Sequence, residues 1–329
     1  MVMFKKNKSV EIIDMFSTHR VSAQFRSAFR PATTTTVWLL KIMLPISLVV
    51  RMLQYYGVIA WLAQYLDVVF QYIGLPGASA IAFLTGASVT TYAGLAVMLS
   101  MELTMREATI IAIMMLLCHA LPLECAVVKR VGSNPWEMAA LRIVAAFAAA
   151  LFLNAVLPEM TNPFVAHPEA DAEGTVWTVM ELWLLASMKL SLMIYLLIYS
   201  LMVVQRLLSE FGVMPLLDKP LRPVMLLFGL PENSAYLWLV GNVLGISYGS
   251  AMMLDLEDSG AITKEEANEV NYHLIMNHSM LEDTLVFSAV GISAFWILFV
   301  RMLFAFLLVW SRRLLGLSFR KCKTVSKKG

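Results

Sequence analysis

The sequence predicts an all-α polytopic membrane protein, built from two inverted helical repeats that contain Gly-interrupted or re-entrant segments. Three observations predict this class, namely the composition, the long apolar runs and an internal repeat. Hydrophobic residues make up 59% of the 329 residues and charged residues only 15%. A soluble domain needs roughly a quarter of its residues charged to cover its surface. The composition therefore excludes a soluble globular protein.

Several apolar runs have the length of about 20 residues that a helix needs to cross a bilayer core of ~30 Å. These runs are residues 37–56, 78–100, 107–128, 137–158, 179–204, 234–254 and 292–311. We therefore expect a multi-pass protein whose chain crosses the membrane several times.

The charges between these runs predict the orientation. The N-terminal arm is basic, and the segment after Trp310 carries many Lys and Arg residues but no acid. Between Arg142 and Lys189 there is no Lys or Arg, while the loop near the middle of that stretch is acidic. Because basic loops stay in the cytoplasm, we expect both termini to be cytoplasmic and the acidic loop to be external, in a cell inner (cytoplasmic) membrane.

An internal repeat is the strongest signal in the sequence. Residues 74–102 and 229–257 share the pattern G-L-P-x2-S-A-x3-L-x-G-x7-G-x-A-x-M-L-x2-E at an offset of 155 residues. Beyond an insertion the offset is 159, and it pairs His119 with His278, Glu124 with Asp283 and Arg142 with Arg301. Since the orientation requires an odd number of crossings in each half, the two copies are predicted to be inverted relative to each other.

The repeat and the charges divide the chain into five parts. These are a basic cytoplasmic arm (1–36), a first repeat (37–158), an external acidic loop (159–178), a second repeat (179–311) and a basic cytoplasmic tail (312–329).

Each repeat contains an apolar segment interrupted by two glycines and by polar residues. The glycines are Gly86 and Gly94 in the first copy and Gly241 and Gly249 in the second. The polar residues beside them are Ser88, Thr90, Thr91, Asn242, Ser247 and Tyr248. Interrupted helices at matched positions of inverted repeats are the usual site of midplane substrate binding. We therefore predict that the glycines lie beside a central cavity and that these polar side chains bind substrate; close helix packing through small residues is the alternative.

Ionisable residues at membrane depth mark a functional site or a buried pair. The candidates, which complete the predicted substrate-binding set, are His119, Glu124, Asn277, His278, Glu282 and Asp283. The first copy has Leu123 where the second has Glu282, so we expect the more polar second copy to do more of the binding.

The separation of these residues along the chain predicts which of them share a helix face. His278 and Glu282 are four residues apart and are expected to share a helix face. Pro122 separates His119 from Glu124 and is expected to disturb the first helix. Proton coupling, divalent-metal binding and structural hydrogen bonds all remain open. Arg142 and Arg301 are expected to pair with an acid from the set Glu102, Glu257 and Glu124.

The duplicated G-L-P, the Gly-interrupted segment and the following helix with a His and an acid resemble the nucleoside recognition, or Gate, domain. That domain is found in concentrative nucleoside transporters, in the membrane part of B-type ferrous-iron transporters and in spore maturation proteins A and B. The resemblance covers residues 37–150 and 180–311 and implies a gated two-fold transport architecture. The sequence departs from these relatives because it has no GTPase motif, lacks the extra helices of a nucleoside carrier and has no nucleoside-binding motif that can be mapped.

We therefore expect a membrane transporter or permease that binds a small solute at the interface of two inverted repeats, with proton coupling open. The alternatives are a divalent-metal permease and a structural or assembly membrane protein resembling the spore maturation proteins. An enzyme, a cofactor and a nucleic-acid partner are not expected, because no nucleophile motif, phosphate loop or nucleic-acid module is present. The expected partners are membrane lipids and a small solute or ion, and a homo-oligomer is left open.

Overall fold

The computed structural model describes residues 18–164 and 175–316. Within these ranges the regular structure is helical, apart from an isolated bridge between Thr104 and Pro163. The all-α class is therefore confirmed. Residues 1–17, 165–174 and 317–329, which include parts of the predicted arm, external loop and tail, lie outside the described residues.

The first half of the described chain contains seven α-helices and a short 3-10 turn at Gln71–Ile73. The helices are α1 (Thr18–Tyr55), α2 (Val58–Phe70), α3 (Ser79–Ser88), α4 (Thr91–Leu99), α5 (Met105–Leu117), α6 (Leu121–Arg130) and α7 (Pro135–Val156).

The second described half has the same succession of elements, with a 3-10 turn at Glu232–Ser234. Its helices are α8 (Val176–Glu210), α9 (Val213–Leu227), α10 (Ala235–Leu244), α11 (Ile246–Asp258), α12 (Lys264–Asn277), α13 (Met280–Ala289) and α14 (Ala294–Leu314).

Five helical stretches of the described chain are long and apolar enough to cross a membrane. They are Val21–Tyr55, Met105–Arg130, Pro135–Val156, Val176–Leu208 and Ala294–Leu314. The stretch that corresponds to Met105–Arg130 in the second half, α12 and α13, is much more polar. An all-α polytopic membrane protein is therefore the observed class.

Helix α1 begins at Thr18, well before the predicted apolar run at 37. The extension is helical because its small residues pack against α8. Ala28 and Ala32 are fully buried, and the Tyr199 hydroxyl of α8 donates a hydrogen bond to the Phe25 carbonyl (3.1 Å). The described part of the predicted arm, residues 18–36, thus belongs to a long helix pair that joins the two halves.

Matched backbone features show that the two halves repeat the same local structure. Gly57 and Gly212 both adopt positive φ just before α2 and α9. The helices α5 and α12 both begin with a capping box, in which Thr104 or Thr263 exchanges hydrogen bonds with a Glu three residues on. These are the features that a duplicated unit is expected to share.

Each glycine-interrupted segment is a helical hairpin, formed by α3 and α4 in the first half and by α10 and α11 in the second. Residues eight apart in one helix would lie about 12 Å apart. A methyl group on Gly94, however, would lie 2.8 Å from the Cα of Gly86, and one on Gly249 would lie 3.2 Å from the Cα of Gly241. The chain therefore folds back at each interruption, as the predicted re-entrant segments require.

The prediction of a cavity beside these glycines is wrong. The space next to Gly86 and Gly94 is filled by the Met115 side chain, and the space next to Gly241 by Leu274. A Cβ atom on Gly94 or Gly249 would meet the backbone of the other helix of its hairpin, and one on Gly86 or Gly241 would meet a side chain of the helix that follows. Close packing, the alternative explanation, is correct.

The helices after the hairpins are each interrupted near their middle, and we call α5–α6 the first broken helix and α12–α13 the second. Ser133, at the end of the first, accepts a hydrogen bond from Asn271 (2.7 Å) and donates one to Asn268 (2.6 Å), near the start of the second. At the other end, the Met105 side chain at the start of the first lies beside Gly291, which follows the second. The two broken helices therefore run antiparallel; inversion of the repeats relative to the membrane stays a prediction.

Candidate functional site

The interruption of each broken helix is a local left-handed backbone conformation at a residue other than glycine. Ala120 has φ 44° and Ser279 has φ 53°, a left-handed conformation that L-residues avoid. Such conformations persist where the surrounding structure imposes them, and they concentrate at functional sites. Pro122 is not the cause, as the sequence had suggested, because the second broken helix is interrupted at the same place with Leu281 at the matching position.

The hairpins hold these interruptions in place. The Ala120 N–H donates to the Gly86 carbonyl (2.9 Å), and the Ser279 N–H donates to the Gly241 carbonyl (3.1 Å). A backbone N–H that no longer belongs to a helix is thereby satisfied inside the protein, as an apolar environment requires. In both repeats, therefore, the carbonyl of the first hairpin glycine accepts the N–H of the residue that interrupts the broken helix.

The residues immediately before the interruptions are His119 and His278. The Nδ1 atom of His119 lies 3.1 Å from the Met115 carbonyl oxygen, and that of His278 lies 2.9 Å from the Leu274 carbonyl oxygen. A carbonyl only accepts, so each Nδ1 carries the hydrogen. In the neutral imidazole the lone pair is then on Nε2, which is free to bind a cation.

These two Nε2 atoms and one carboxylate oxygen face one another. The Nε2 atoms of His119 and His278 lie 3.2 Å apart. The Glu124 Oε1 atom lies 3.0 Å from the first and 3.1 Å from the second. All three residues are buried, at 2% to 6% exposure. We call them the histidine–glutamate cluster; three acceptors this close repel one another unless a proton or a metal ion lies between them.

An arginine accompanies each interruption. Arg142 pairs with Glu124 Oε2, and Arg301 pairs with Asp283 Oδ2 (2.7 Å). Their Nε atoms donate to matched carbonyls before the interruptions, those of Leu117 (2.9 Å) and Met276 (3.1 Å). The guanidinium groups thus satisfy carbonyls that the interrupted helix leaves unpaired. The expected pairing of Arg142 with Glu124 is found, whereas Arg301 pairs with Asp283, which was not among the expected acids.

The two repeats differ in their acids. Glu124 uses one oxygen for Arg142 and presents the other to both histidines, whereas Asp283 pairs with Arg301. From the sequence, we expected the second copy to supply most of the site. In the structure, the first copy supplies two of the three cluster residues, His119 and Glu124. His278 and Glu282 do not share a helix face, because the interruption places His278 at the end of α12 and Glu282 in α13. Glu282 instead accepts a hydrogen bond from the Tyr92 hydroxyl (2.6 Å).

The polar residues of the hairpins do not join the cluster. Thr90 caps α4 by accepting from the Ala93 N–H (3.1 Å), and Asn242 donates to the Trp238 carbonyl of its own helix (2.9 Å). Thr91 is buried, while Ser88 and Tyr248 are exposed, and the Ser247 side chain lies outside the described part. Asn277 donates to the Met302 sulfur (3.1 Å). Sequence reasoning missed Tyr92, because its partner Glu282 is 190 residues away.

Comparison with known proteins agrees with this architecture. Residues 36–134 match a family model described as Gate, nucleoside recognition. The chain is 28% identical over 278 residues to the uncharacterized membrane protein YvoD of Bacillus subtilis (strain 168), which covers 83% of this chain and 89% of that protein. No solved structure matches. The resemblance to the Gate domain found in the sequence is thus confirmed over residues 36–134, and the relative from Bacillus subtilis is likewise a membrane protein.

Proposed function

We propose that this protein is a transporter-like membrane protein that binds a first-row divalent transition-metal ion as its cargo at the histidine–glutamate cluster. The observation that carries the proposal is the triangle formed by His119 Nε2, His278 Nε2 and Glu124 Oε1, with sides of 3.0 to 3.2 Å.

The size of the triangle fits such an ion. Ligands about 2.0 Å from a tetrahedral zinc ion lie roughly 3.3 Å from one another. Calcium is bound at about 2.3–2.6 Å by oxygen ligands, which requires a wider and nitrogen-free site. Two imidazoles and one carboxylate are ligands of Zn²⁺, Fe²⁺ or Mn²⁺ rather than of Ca²⁺ or Mg²⁺.

The outer contacts of the cluster also resemble those of metal sites. A metal-binding histidine usually donates its other N–H to a carbonyl or carboxylate, which fixes the tautomer and the ring orientation. Both histidines do so, through Met115 and Leu274. Arg142 holds the free oxygen of Glu124 and so orients the carboxylate. The ligand atoms are therefore held in position without the ion.

The location of the cluster suits transport. His119 and Glu124 come from the first repeat and His278 from the second, so one ion would be held by both halves. Substrate sites of secondary transporters lie at the interface of repeats and involve interrupted helices. Relative movement of the halves would then open or close the coordination of the ion, which is what alternating access requires.

Proton coupling is the second candidate, and the same triangle supports it. An excess proton on one Nε2 would be shared with the facing Nε2 and with the Glu124 carboxylate. Histidine is the side chain that most readily changes its charge near neutral pH. A transporter that moves another solute with a proton would then use the cluster as its proton site.

Metal content measured on purified protein distinguishes the two candidates. After equilibration with Zn²⁺, Mn²⁺ or Fe²⁺ and removal of the excess, the wild type is expected to retain one ion per chain. His119→Ala and His278→Ala should each lose it, and His273→Met, which changes a buried histidine outside the cluster, should not. A folded wild type that retains no metal, or retention that both variants leave unchanged, would refute the metal proposal. Proton uptake by proteoliposomes would then test the second candidate.

A further inference from the structure

We infer that a hydrated cation reaches the histidine–glutamate cluster through the second repeat alone, along a row of polar side chains on α12. The inference rests on the proposed function for the nature of the ion. The row itself is defined by the structure, as Glu269, His273 and Asn277, and we call it the α12 polar row.

The α12 polar row lies on one face of a buried helix. Its members are spaced four residues apart, so they stack along the same side of α12. Glu269 is 4% exposed, and His273 and Asn277 are fully buried. The last member, Asn277, directly precedes the metal ligand His278. The row therefore leads from the second turn of α12 to the cluster.

The row contains polar atoms that the described protein leaves unsatisfied. Among the described residues, Glu269 Oε2 and, on the adjoining helix α10, Asn242 Oδ1 have no hydrogen-bond partner. His273 Nε2 and Asn277 Oδ1 make no hydrogen bond within 3.5 Å, and these two side chains interact with each other only at longer range. Buried polar atoms are nearly always paired, with protein or with water. Unpaired oxygen and nitrogen atoms repeated along one face indicate that water, or a partly hydrated cation, occupies the space beside them.

The first repeat has no such row. The positions that match Glu269, His273 and Asn277 are occupied by Ile110, Met114 and Cys118. All three are fully buried, the first two on α5 and Cys118 directly after it, and none of them carries an ionisable carboxylate or imidazole, or an amide. Ionisable groups at membrane depth are costly and tend to line substrate or ion pathways. Because the broken helices run antiparallel, access on α12 but not on α5 means access from one side.

A hydrogen bond from a neighbouring helix fixes the tautomer of His273 in this row. The Trp238 indole N–H donates to His273 Nδ1 (3.1 Å), which leaves His273 Nε2 to carry the hydrogen. Asn277 Oδ1, one turn further along, is an acceptor. The row thus presents a carboxylate, an imidazole and an amide in turn. A divalent cation would move along it by exchanging one bridging water molecule at a time.

Thiol accessibility tests the route without any metal. The native Cys118 matches Asn277 in the repeat, so it reports on the first repeat in a Cys125→Ser, Cys322→Ser protein. Asn277→Cys with Cys118→Ala in the same background reports on the second. A small cationic methanethiosulfonate reagent is expected to modify the thiol introduced by Asn277→Cys at least roughly tenfold faster than Cys118. Equal protection of both thiols, or faster modification of Cys118, would refute the route.

The loading rate tests whether the cation uses the route. The triple variant Glu269→Ile, His273→Met, Asn277→Cys gives α12 the residues of the first repeat, and Met114→Leu is the control on α5. The triple variant is expected to retain one Zn²⁺ per chain at equilibrium but to take it up roughly tenfold more slowly. Retained zinc shows that the variant folds, and His273→Met alone serves if the triple variant does not. An unchanged rate would refute the route, whereas a wild type that binds no metal would refute the proposed function instead.

Discussion

The Nε2 atoms of His119 and His278 lie 3.2 Å apart where the two broken helices meet. Each ring is fixed by a carbonyl four residues earlier in its own helix, and each stands next to a residue in a left-handed conformation. The two histidines are matched positions of the internal repeat, so the duplicated unit places one ligand from each copy on a common centre. A site of this kind exists only when both halves are folded against each other.

The roles of the two matched acids are expected to differ. Glu124→Gln and Asp283→Asn should both lower the thermal stability in detergent, because loss of one partner of a buried ion pair costs about 3–5 kcal/mol. Only Glu124→Gln should abolish metal binding, since Glu124 contacts both histidines. Melting curves and metal content check this. Equal loss of metal in Asp283→Asn would restore the sequence-based expectation that the second copy dominates.

Metal binding is expected to weaken as the pH falls. Both Nε2 atoms must be unprotonated to bind a metal ion, so protons compete with it. The affinity for Zn²⁺ should therefore be lower at about pH 5 than at about pH 8. Titration of the wild type with a competing zinc indicator at several pH values measures this. A constant affinity over that range would show that the histidines are not ligands.

Alanine substitutions in the first hairpin should differ in severity. A methyl group on Gly94 would meet the backbone of Gly86 at 2.8 Å, whereas one on Gly86 would meet only the flexible Met115 side chain, at 3.0 Å. Overpacking costs about 1–3 kcal/mol, and we expect Gly94→Ala near the upper end and Gly86→Ala near the lower. The melting temperatures of the two variants give the comparison. A Gly86→Ala protein as unstable as Gly94→Ala would contradict the packing explanation.

The hydrogen bond between Tyr92 and Glu282 joins the first hairpin to the second broken helix. In a double-mutant cycle with Tyr92→Phe and Glu282→Leu, we expect a coupling free energy of about 1.5–3 kcal/mol, typical of hydrogen bonds to charged groups. Leucine is chosen because Leu123 occupies the matching position in the first copy. Strictly additive effects on the free energy of unfolding would mean that the contact contributes nothing.

The orientation predicted from the charges is tested by labelling. A cysteine at position 170, in the acidic loop, should react in intact cells with a thiol reagent that does not cross the membrane. The control is the native Cys322 in the basic tail, which should react only after the cells are opened. The reverse pattern would place the termini outside and would contradict the predicted orientation. Reaction of both cysteines from the same side would contradict the inverted arrangement of the repeats.

The sequence by itself determined the class of the protein and its duplication. Apolar runs, basic ends and the register of Gly, His and Arg residues are properties of neighbouring residues along the chain, so they can be read without coordinates. The pairing of His119 with His278 and of Arg142 with Arg301 in the repeat also identified most of the residues around the candidate site. The position of Glu124 was found in the same way, although its role was underestimated.

Only the tertiary structure decided what these residues contact. The left-handed conformations of Ala120 and Ser279 leave no local signal, because they depend on carbonyls supplied by Gly86 and Gly241. The sequence predicted a cavity beside these glycines because polar residues lie near them in the chain. Met115 and Leu274 of the broken helices occupy that space. Glu124 reaches both histidines because the interruption redirects the chain between His119 and Glu124. Hydrogen bonds and packing between distant segments fix these geometries, and such contacts are encoded by the fold rather than by any one stretch of sequence.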